Sequence, residues 1–331
     1  MPCCFSHVSA SIARSSGQFL LALVAGFSVT IAHAEWPDKP VKLIVPYPAG
    51  GLTDIVTRSL ADEVGKNLGT TMVVENRGGA GGQIGRDAML RAPKDGYTVA
   101  LVVPATMITL PLTNPNFKIK PLEQFAPITI AVDTFLTLVV DSKLGINTLP
   151  EFISYAKKNA GKVNYGTPGI GTSFHFNNVL MARKLGIDTV HVPYQGEVKI
   201  LTDIAGGQLQ YALVTNTAKA FIDGGQVKAV AVTSARRVVS MQQTPTFEEA
   251  GTDFTTDGWV GYVAAAGTPE PIMDKLSAAF VHALKTPAIR QKLTDMGYLV
   301  SGNGPEHFNT TVRESTKVYS DLLNSGAIKL D

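Results

Sequence analysis

Along the chain, short β-rich apolar runs alternate with longer amphipathic stretches. Residues 41–47 form an apolar run that ends in a glycine-containing turn at 48–51. From Asp54 onward, apolar residues recur every three or four positions to Leu68, which predicts an amphipathic helix. The same order follows in a strand over 71–75, a helix over 84–91 and a strand over 97–103. Strands separated by helices predict right-handed βαβ units in a parallel sheet.

A second series of the same kind begins near residue 135. Thr148 and Glu151 have the spacing of a capping box, in which each side chain binds the other's backbone N–H at a helix start. Strands are predicted over 135–140, 163–166, 189–194, 209–215, 227–233 and 259–266, with helical sequence from there to the C-terminus. The pattern predicts an α/β protein of two lobes, each a mostly parallel sheet flanked by helices. Residues 35–131 and 257–331 are predicted to form lobe 1, and residues 132–256 lobe 2.

Residues 1–34 have the pattern of a secretory signal peptide. Arg14 precedes an apolar run over 19–31, and the small-x-small tripeptide at 32–34 is a cleavage signal. The alternative is an uncleaved membrane anchor, but a run of 13 residues is shorter than the roughly 20 that a spanning helix needs. Cleavage leaves 297 residues with a net charge of +1 and no cysteine, because Cys3 and Cys4 both lie in the leader. The pattern therefore predicts an exported, periplasmic protein.

Composition and motif searches exclude several functions. A net charge of +2 argues against a nucleic-acid partner, and two cysteines exclude a disulfide-rich scaffold. The chain has no Gly-x-Ser-x-Gly elbow, phosphate loop or His-Glu-x-x-His motif, and His175, His191, His282 and His307 are far apart. The glycines of 78–85 do not have the Gly-x-Gly-x-x-Gly spacing of a dinucleotide loop. We therefore expect no metal and no cofactor.

Two strand-to-helix loops, at 48–54 and 167–175, are the strongest candidates for a functional site. Ligands of parallel α/β sheets bind outside the carboxyl ends of the strands. The first N–H groups of a helix have no intrahelical partner and carry a partial positive charge. We therefore predict that each loop is an anion-binding site built from backbone N–H groups. The alternative is that both loops are ordinary strand-to-helix turns.

The same loops carry a resemblance to a known family. The matching stretches are PDKPVKLIVPYPAGG at 37–51, VVENR at 73–77, GGxIG at 81–85, DGYT at 95–98, YGTPGxGTxxH at 165–175, HVPYQG at 191–196, AVTS at 231–234, PTFxExG at 245–251 and GTP at 267–269. In this order they resemble the Bug/TctC family, the extracytoplasmic substrate-binding proteins of tripartite tricarboxylate transporters. The resemblance covers essentially the whole chain after the leader.

The resemblance implies a periplasmic-binding-protein (Venus flytrap) fold that holds a carboxylate between two lobes. The ligand-binding residues that it implies are Tyr47, Ala49, Gly50, Gly51, Leu52, Thr53 and Asp54 in the first loop, and Thr167, Gly169, Gly171, Thr172, Ser173 and His175 in the second. Asp54 is expected either to orient a water or to cap its helix. His175 is expected to donate a hydrogen bond either to ligand or to a backbone carbonyl.

Two further loops depart from the family pattern. Ala105 and Thr106 stand where many members have a small polar loop, and Thr215 and Asn216 stand where many have an Asp. We include all four among the expected ligand-binding residues. Because the missing acid would suit an amino group, its absence disfavours an amino-acid ligand and favours a dicarboxylate or an aromatic carboxylate.

Three functions follow from these observations. The leading hypothesis is a monomeric, non-enzymatic solute-binding protein that delivers a small organic anion to the membrane subunits of a tripartite tricarboxylate-type transporter. A second is the same module acting as a sensor for a histidine kinase. A third is a periplasmic hydrolase that uses Ser173 with His175 or His191. Residues two apart on a helix point in different directions, which disfavours Ser173 and His175 as a nucleophile–base pair.

Overall fold

The computed structural model describes Met1, Leu330 and residues 35–50, 52–79, 82–115, 117, 119–256 and 258–328. The predicted signal peptide lies outside the described residues, apart from Met1. None of the helices in these ranges combines the length and apolarity needed to cross a bilayer. Residues from Pro37 onward group into a single unit.

Eleven strands are assigned within the described residues: β1 (Val41–Val45), β2 (Met72–Asn76), β3 (Thr98–Val102), β4 (Phe125–Thr134), β5 (Thr137–Asp141), β6 (Asn164–Thr167), β7 (Val190–Pro193), β8 (Tyr211–Val214), β9 (Val227–Val232), β10 (Gly258–Ala265) and β11 (Leu299–Asn303). They form a six-stranded sheet in the order β11-β4-β10-β3-β1-β2 and a five-stranded sheet in the order β7-β6-β8-β5-β9. The chain leaves the first sheet after Thr134 and rejoins it at Gly258, so the second sheet is an insertion into the first.

The α-helices that flank these sheets are α1 (Leu52–Leu68), α2 (Gln83–Leu90), α3 (Leu110–Thr113), α4 (Pro121–Gln124), α5 (Leu149–Lys158), α6 (Ser173–Leu185), α7 (Glu197–Ala205), α8 (Lys219–Asp223), α9 (Glu270–Lys285), α10 (Pro287–Asp295) and α11 (Pro305–Asn324). The capping box predicted at Thr148 and Glu151 is present at the start of α5. The two-lobed α/β architecture is confirmed.

The sheets are mixed, which corrects the expectation that they are mostly parallel. Parallel pairing is found for β1 with β2 and β3, and for β6 with β7 and β8. By contrast, β10 runs antiparallel to β3 and β4, β11 to β4, and β5 to β8 and β9. The reason is topological. A βα unit ends its strand at the cleft between the lobes, whereas β5 and β10 begin there because they bring the chain in from the other lobe.

Two strands, β4 and β11, were not predicted by the hydrophobic pattern. Most of β4 is buried on both faces, so apolar and polar residues do not alternate along it, and it contains Pro127. The sequence of β11 is Leu-Val-Ser-Gly-Asn, and Gly302 has a φ of 69° at an irregularity in its pairing with β4. Because Ser, Gly and Asn have low β-propensity, this segment gave no strand signal and was included in the helical sequence predicted after residue 266.

Helix α6 belongs to the second sheet's chain segment but packs against α11, which follows the return of the chain to the first sheet. The ring of Phe176 on α6 stacks on the ring of Tyr319 on α11, with 4.7 Å between centroids. The Tyr319 hydroxyl donates a hydrogen bond of 3.2 Å to Oδ1 of Asn177. These contacts place the start of α6 at the boundary between the two lobes.

Candidate functional site

A cavity of about 330 Å³ lies where the two lobes face each other. The chain segment of the first sheet contributes Tyr47, Thr53, Val103, Pro104, Ala105, Thr134, Gly258, Trp259, Val260, Met296, Gly297 and Tyr298. The segment of the second sheet, with its flanking connections, contributes Phe135, Leu136, Ser173, Phe174, Asn177, Thr215, Asn216 and Thr256. Because the βα units end their strands at this cleft, the segments that follow β1, β3 and β8, and the start of α6 after β6, all reach the same cavity.

The first loop is held in place by the carboxylate of Asp54, which is 2% exposed. It accepts hydrogen bonds from the backbone N–H of Gly50 at 2.8 Å, from Nδ2 of Asn76 at 2.9 Å and from Nε of Arg58 at 3.0 Å. Burial raises the pKa of Asp54, but these hydrogen bonds outweigh it and the pKa lies below its ordinary value. These bonds fix the loop that precedes α1, a role beyond the two expected for Asp54; that Asp54 orients a water or caps its helix stays a prediction.

The groups of this loop that reach the cavity are neutral. Tyr47 and Thr53 line it, and no described residue is hydrogen-bonded to either hydroxyl in the cavity. Burial raises the pKa of Tyr47 to about 12, so its phenol stays protonated and able to donate at neutral pH. Gly51 and the side chain of Leu52 lie outside the described residues.

Hydrogen bonds from hydroxyl groups of its own threonines hold the second loop, between β6 and α6, in its conformation. Thr172 caps α6, because its Oγ1 accepts a hydrogen bond of 3.4 Å from the backbone N–H of His175 and donates one of 2.8 Å to the carbonyl of Gly169. Thr167 also donates to the Gly169 carbonyl, at 3.1 Å. Thr167, Gly169, Gly171 and Thr172 therefore shape the loop, while Ser173, the first residue of α6, lines the cavity.

His175 points away from this cavity, toward a separate pocket of about 490 Å³ that it lines with His191. Its Nδ1 accepts a hydrogen bond of 3.3 Å from the backbone N–H of Gly171, rather than donating to a carbonyl or to the cavity. The two imidazole rings stack with 3.9 Å between centroids. Burial lowers the pKa of both histidines, and the charge of His175 adds to the effect on His191, whose pKa falls to about 4.

Glu197, which the sequence analysis did not single out, holds the loop after β8. Its carboxylate accepts hydrogen bonds from the backbone N–H and Oγ1 of Thr215, at 2.7 and 2.5 Å, and from Oγ1 of Thr217 at 3.0 Å. Nothing in the local sequence marked this role, because Glu197 begins α7, 18 positions before the loop it holds.

The structure thus separates the predicted residues into two groups. Tyr47, Thr53, Ala105, Ser173, Thr215 and Asn216 line one cavity. Ala49, Gly50, Asp54, Thr106, Thr167, Gly169, Gly171, Thr172 and His175 are absent from its described lining, and Thr106 is buried with its hydroxyl bonded to the Val103 carbonyl at 3.0 Å. Sequence reasoning missed Phe135, Leu136, Trp259, Met296 and Tyr298, which come from segments distant in sequence.

The hydrolase hypothesis is not favoured by this geometry. Ser173 lines the cavity between the lobes, whereas His175 and His191 line the other pocket. Within the described part of the chain, no three His, Cys, Asp or Glu side chains are grouped so as to hold a metal ion.

Comparison with known proteins decides the family. A model described as "Tripartite tricarboxylate transporter family receptor" matches residues 56–324, which is most of the chain. This chain belongs to that receptor family. The resemblance to Bug/TctC proteins is thereby confirmed. Because these are substrate-binding receptors of the periplasm, the expected solute-binding class and the expectation that the chain is not an enzyme are confirmed too.

Solved structures of similar receptors share the fold. The periplasmic binding protein BugD is 34% identical, with a TM-score of 0.69 over 89% of this chain and 99% of its own. The R. palustris protein Rpa4515, solved with adipate, is 27% identical, with a TM-score of 0.74 over 89% and 99%. MatC from Rhodopseudomonas palustris, solved with bound malate, is 30% identical, with a TM-score of 0.69 over 87% and 99%.

Proposed function

We propose that this receptor captures a small organic carboxylate between its lobes in the periplasm and delivers it to a tripartite tricarboxylate-type membrane transporter. The observation that carries the proposal is that five residues lining the cavity have hydroxyls to which no described residue is hydrogen-bonded: Tyr47, Thr53, Thr134, Ser173 and Tyr298. They come from both lobes, and Thr53 and Ser173 lie in the first turns of α1 and α6. Hydroxyls and helix starts together favour a bound anion.

The malate and adipate bound to two similar receptors support a carboxylate as the ligand, either a dicarboxylate or an aromatic carboxylate. The proposed site comprises the seventeen expected residues, with those outside the cavity acting by shaping the two loops. Lobe 1 is proposed to comprise residues 35–131 and 257–331, and lobe 2 residues 132–256. Residues 1–34 act as a signal peptide that is cleaved, and the receptor works as a monomer.

A thermal-shift and calorimetry screen over organic acids tests ligand capture. A ligand that binds only the folded state raises the melting temperature, so at least one carboxylate is expected to do so. Ser173→Ala removes one donor without touching the Thr172 cap and is expected to weaken binding about tenfold. Ser142→Ala, outside the cavity, serves as the matched control and leaves affinity unchanged. A screen in which no carboxylate shifts the melting temperature contradicts the proposal.

Delivery, export and monomeric state need separate measurements. Deleting the gene is expected to abolish cellular uptake of the acid that the screen identifies, and unchanged uptake contradicts the transport role. The N-terminus of the purified periplasmic protein is expected at Glu35, as read by mass spectrometry. Light scattering is expected to give the mass of one chain.

A further inference from the structure

A second pocket, of about 490 Å³, lies between α6 and β7 and is separate from the cavity between the lobes. We call it the histidine pocket. Helix α6 contributes His175, Val179 and Arg183, which lie four residues apart on one helix face, and β7 contributes the alternate residues His191 and Pro193. Because β6 and β7 are parallel, α6 runs back along the sheet, so the start of α6 lies beside the end of β7. The histidine pocket is therefore a groove along one βαβ unit.

The two ionised side chains of the described lining lie at the end of the groove far from the histidines. Arg183 follows His175 by eight residues of α6, a rise of about 12 Å, and it is exposed. Asp188 is also exposed and precedes His191 by three residues of nearly extended chain, about 10 Å. His175 and His191 themselves are neutral at pH 7, because burial lowers the pKa of both. Among the described residues, the histidine end of the groove therefore carries no charge.

Hydrogen bonds to the second loop assign the proton of each imidazole ring. Nδ1 of His175 accepts from the backbone N–H of Gly171 at 3.3 Å, so the proton of its neutral ring is on Nε2. The hydroxyl of Thr167 donates its single proton to the Gly169 carbonyl, so it accepts from Nε2–H of His191 at 2.6 Å. The lone pair of His191 is then on Nδ1. No described residue is hydrogen-bonded to Nε2 of His175 or to Nδ1 of His191.

The stacked rings thus present one free donor beside one free acceptor, with 3.9 Å between ring centroids. A third free group is the hydroxyl of Tyr165, whose ring stacks on that of His191 at 5.1 Å. His175 is 5% exposed and Tyr165 is 3% exposed, and polar groups buried to this extent are normally hydrogen-bonded. A metal ion is a poor partner for the pair, because the one lone pair of His175 is already occupied by the Gly171 N–H.

We propose that the histidine pocket binds an uncharged small molecule that carries an amide group. The amide carbonyl accepts from Nε2–H of His175, and the amide N–H donates to Nδ1 of His191. A carboxylate has only acceptors and would face the lone pair of His191, whereas an amidinium has only donors and would face the N–H of His175. The apolar part of the ligand packs against Val179 and Ile187, which also line the groove. This site is distinct from the cavity in which we propose carboxylate capture, so either proposal can fail without the other.

Nitrogen NMR of the receptor with isotope-labelled histidine tests the proposal with benzamide, benzoate and benzamidine, which have nearly the same shape but are neutral, anionic and cationic. Without ligand at pH 7, His175 and His191 are both expected to show the neutral Nε2–H form. The variants His282→Gln and His307→Gln remove the signals of two histidines outside the pocket. Benzamide is expected to shift the signals of His175 and His191 and to bind there at least about tenfold more tightly than benzoate or benzamidine, each of which leaves one group unpaired. Millimolar benzamide that leaves both signals unmoved overturns the proposal, as does equal binding of either charged analogue at these two signals.

Two substitutions locate the binding site. Ala182 lines the groove, so Ala182→Trp fills part of it and is expected to weaken benzamide binding at least about tenfold while carboxylate affinity stays unchanged. Ala278→Trp on α9, at an exposed residue outside the groove, is the matched control and changes neither. His191→Phe keeps a stacked ring but removes Nδ1, and it is expected to weaken benzamide binding about tenfold, with folding checked by circular dichroism. If Ala182→Trp binds benzamide as tightly as the native receptor, benzamide lies elsewhere and the proposal is wrong.

Discussion

Acidification below pH 6.5 is expected to destabilise the receptor through the stacked pair His175 and His191. Both rings are packed face to face and their pKa values are lowered, that of His191 to about 4. The unfolded chain titrates near the ordinary histidine value of about 6.5. Between these two values the unfolded state binds more protons than the folded state, so the free energy of unfolding falls as the pH falls.

The magnitude follows from the His191 values. The gap between about 6.5 and about 4 is worth about 3 kcal/mol once both states are fully protonated, and about 2 kcal/mol of this is lost between pH 7 and pH 5. The contribution is fully present above the unfolded pKa and is lost as the pH approaches the folded pKa. Protonation of His175 at Nδ1 also removes the acceptor of the Gly171 N–H, so the second loop loosens and ligand affinity falls with it.

Urea unfolding at pH 7 and pH 5 measures the effect. His191→Gln keeps a polar group beside Oγ1 of Thr167, which lies 2.6 Å from Nε2 of His191, but cannot be protonated. This variant is expected to lose about 2 kcal/mol less than the native chain between the two pH values. His282→Gln, an exposed histidine on α9, is the control and keeps the native pH dependence. Identical pH dependence in His191→Gln and the native chain refutes the reasoning.

Three further substitutions distinguish residues that hold the cavity loops, Asp54 and Glu197, from Thr148, which stabilises a helix elsewhere in the fold. Asp54→Ala leaves the Gly50 N–H without its acceptor, and we expect a loss of about 2 kcal/mol in the free energy of unfolding, measured by urea titration. Glu197→Ala releases Thr215, so carboxylate affinity measured by calorimetry is expected to fall about tenfold; an unchanged affinity contradicts the role of Glu197. Thr148→Ala removes the capping box of α5 and is expected to cost about 1 kcal/mol of stability with no change in affinity.

The sequence predicted the loops of the cavity better than the rest of its lining. Tyr47 and Ser173 were found because each lies in a glycine-containing loop between a β-rich run and an amphipathic helix, and both signals are local. Trp259 and Tyr298 carry no such signal, because they reach the cavity only through the order of strands in the first sheet. That order depends on β4 and β11, the two strands that the hydrophobic pattern did not reveal.

Local signals also misassigned the role of several loop residues. Glycine, threonine and histidine at 167–175 predict a ligand site or a tight turn equally well, since both need close backbone approach and small donors. The structure assigns Thr172 to the helix cap and turns His175 toward His191. Which side of a loop faces the cleft depends on neighbours distant in sequence, here His191 on β7, and no local pattern carries that information.

Both acids that shape the cavity loops are already occupied by hydrogen-bond donors of the protein. Asp54 is occupied by the Gly50 N–H and Arg58, and Glu197 by Thr215 and Thr217. An acid aimed into the cleft would repel a carboxylate, whereas these two orient the loops that surround it. The described lining is left without a negative charge, and the positive charge comes from helix starts. An anion site of this kind adds no excess of Lys or Arg, which is why a net charge of +2 does not argue against it.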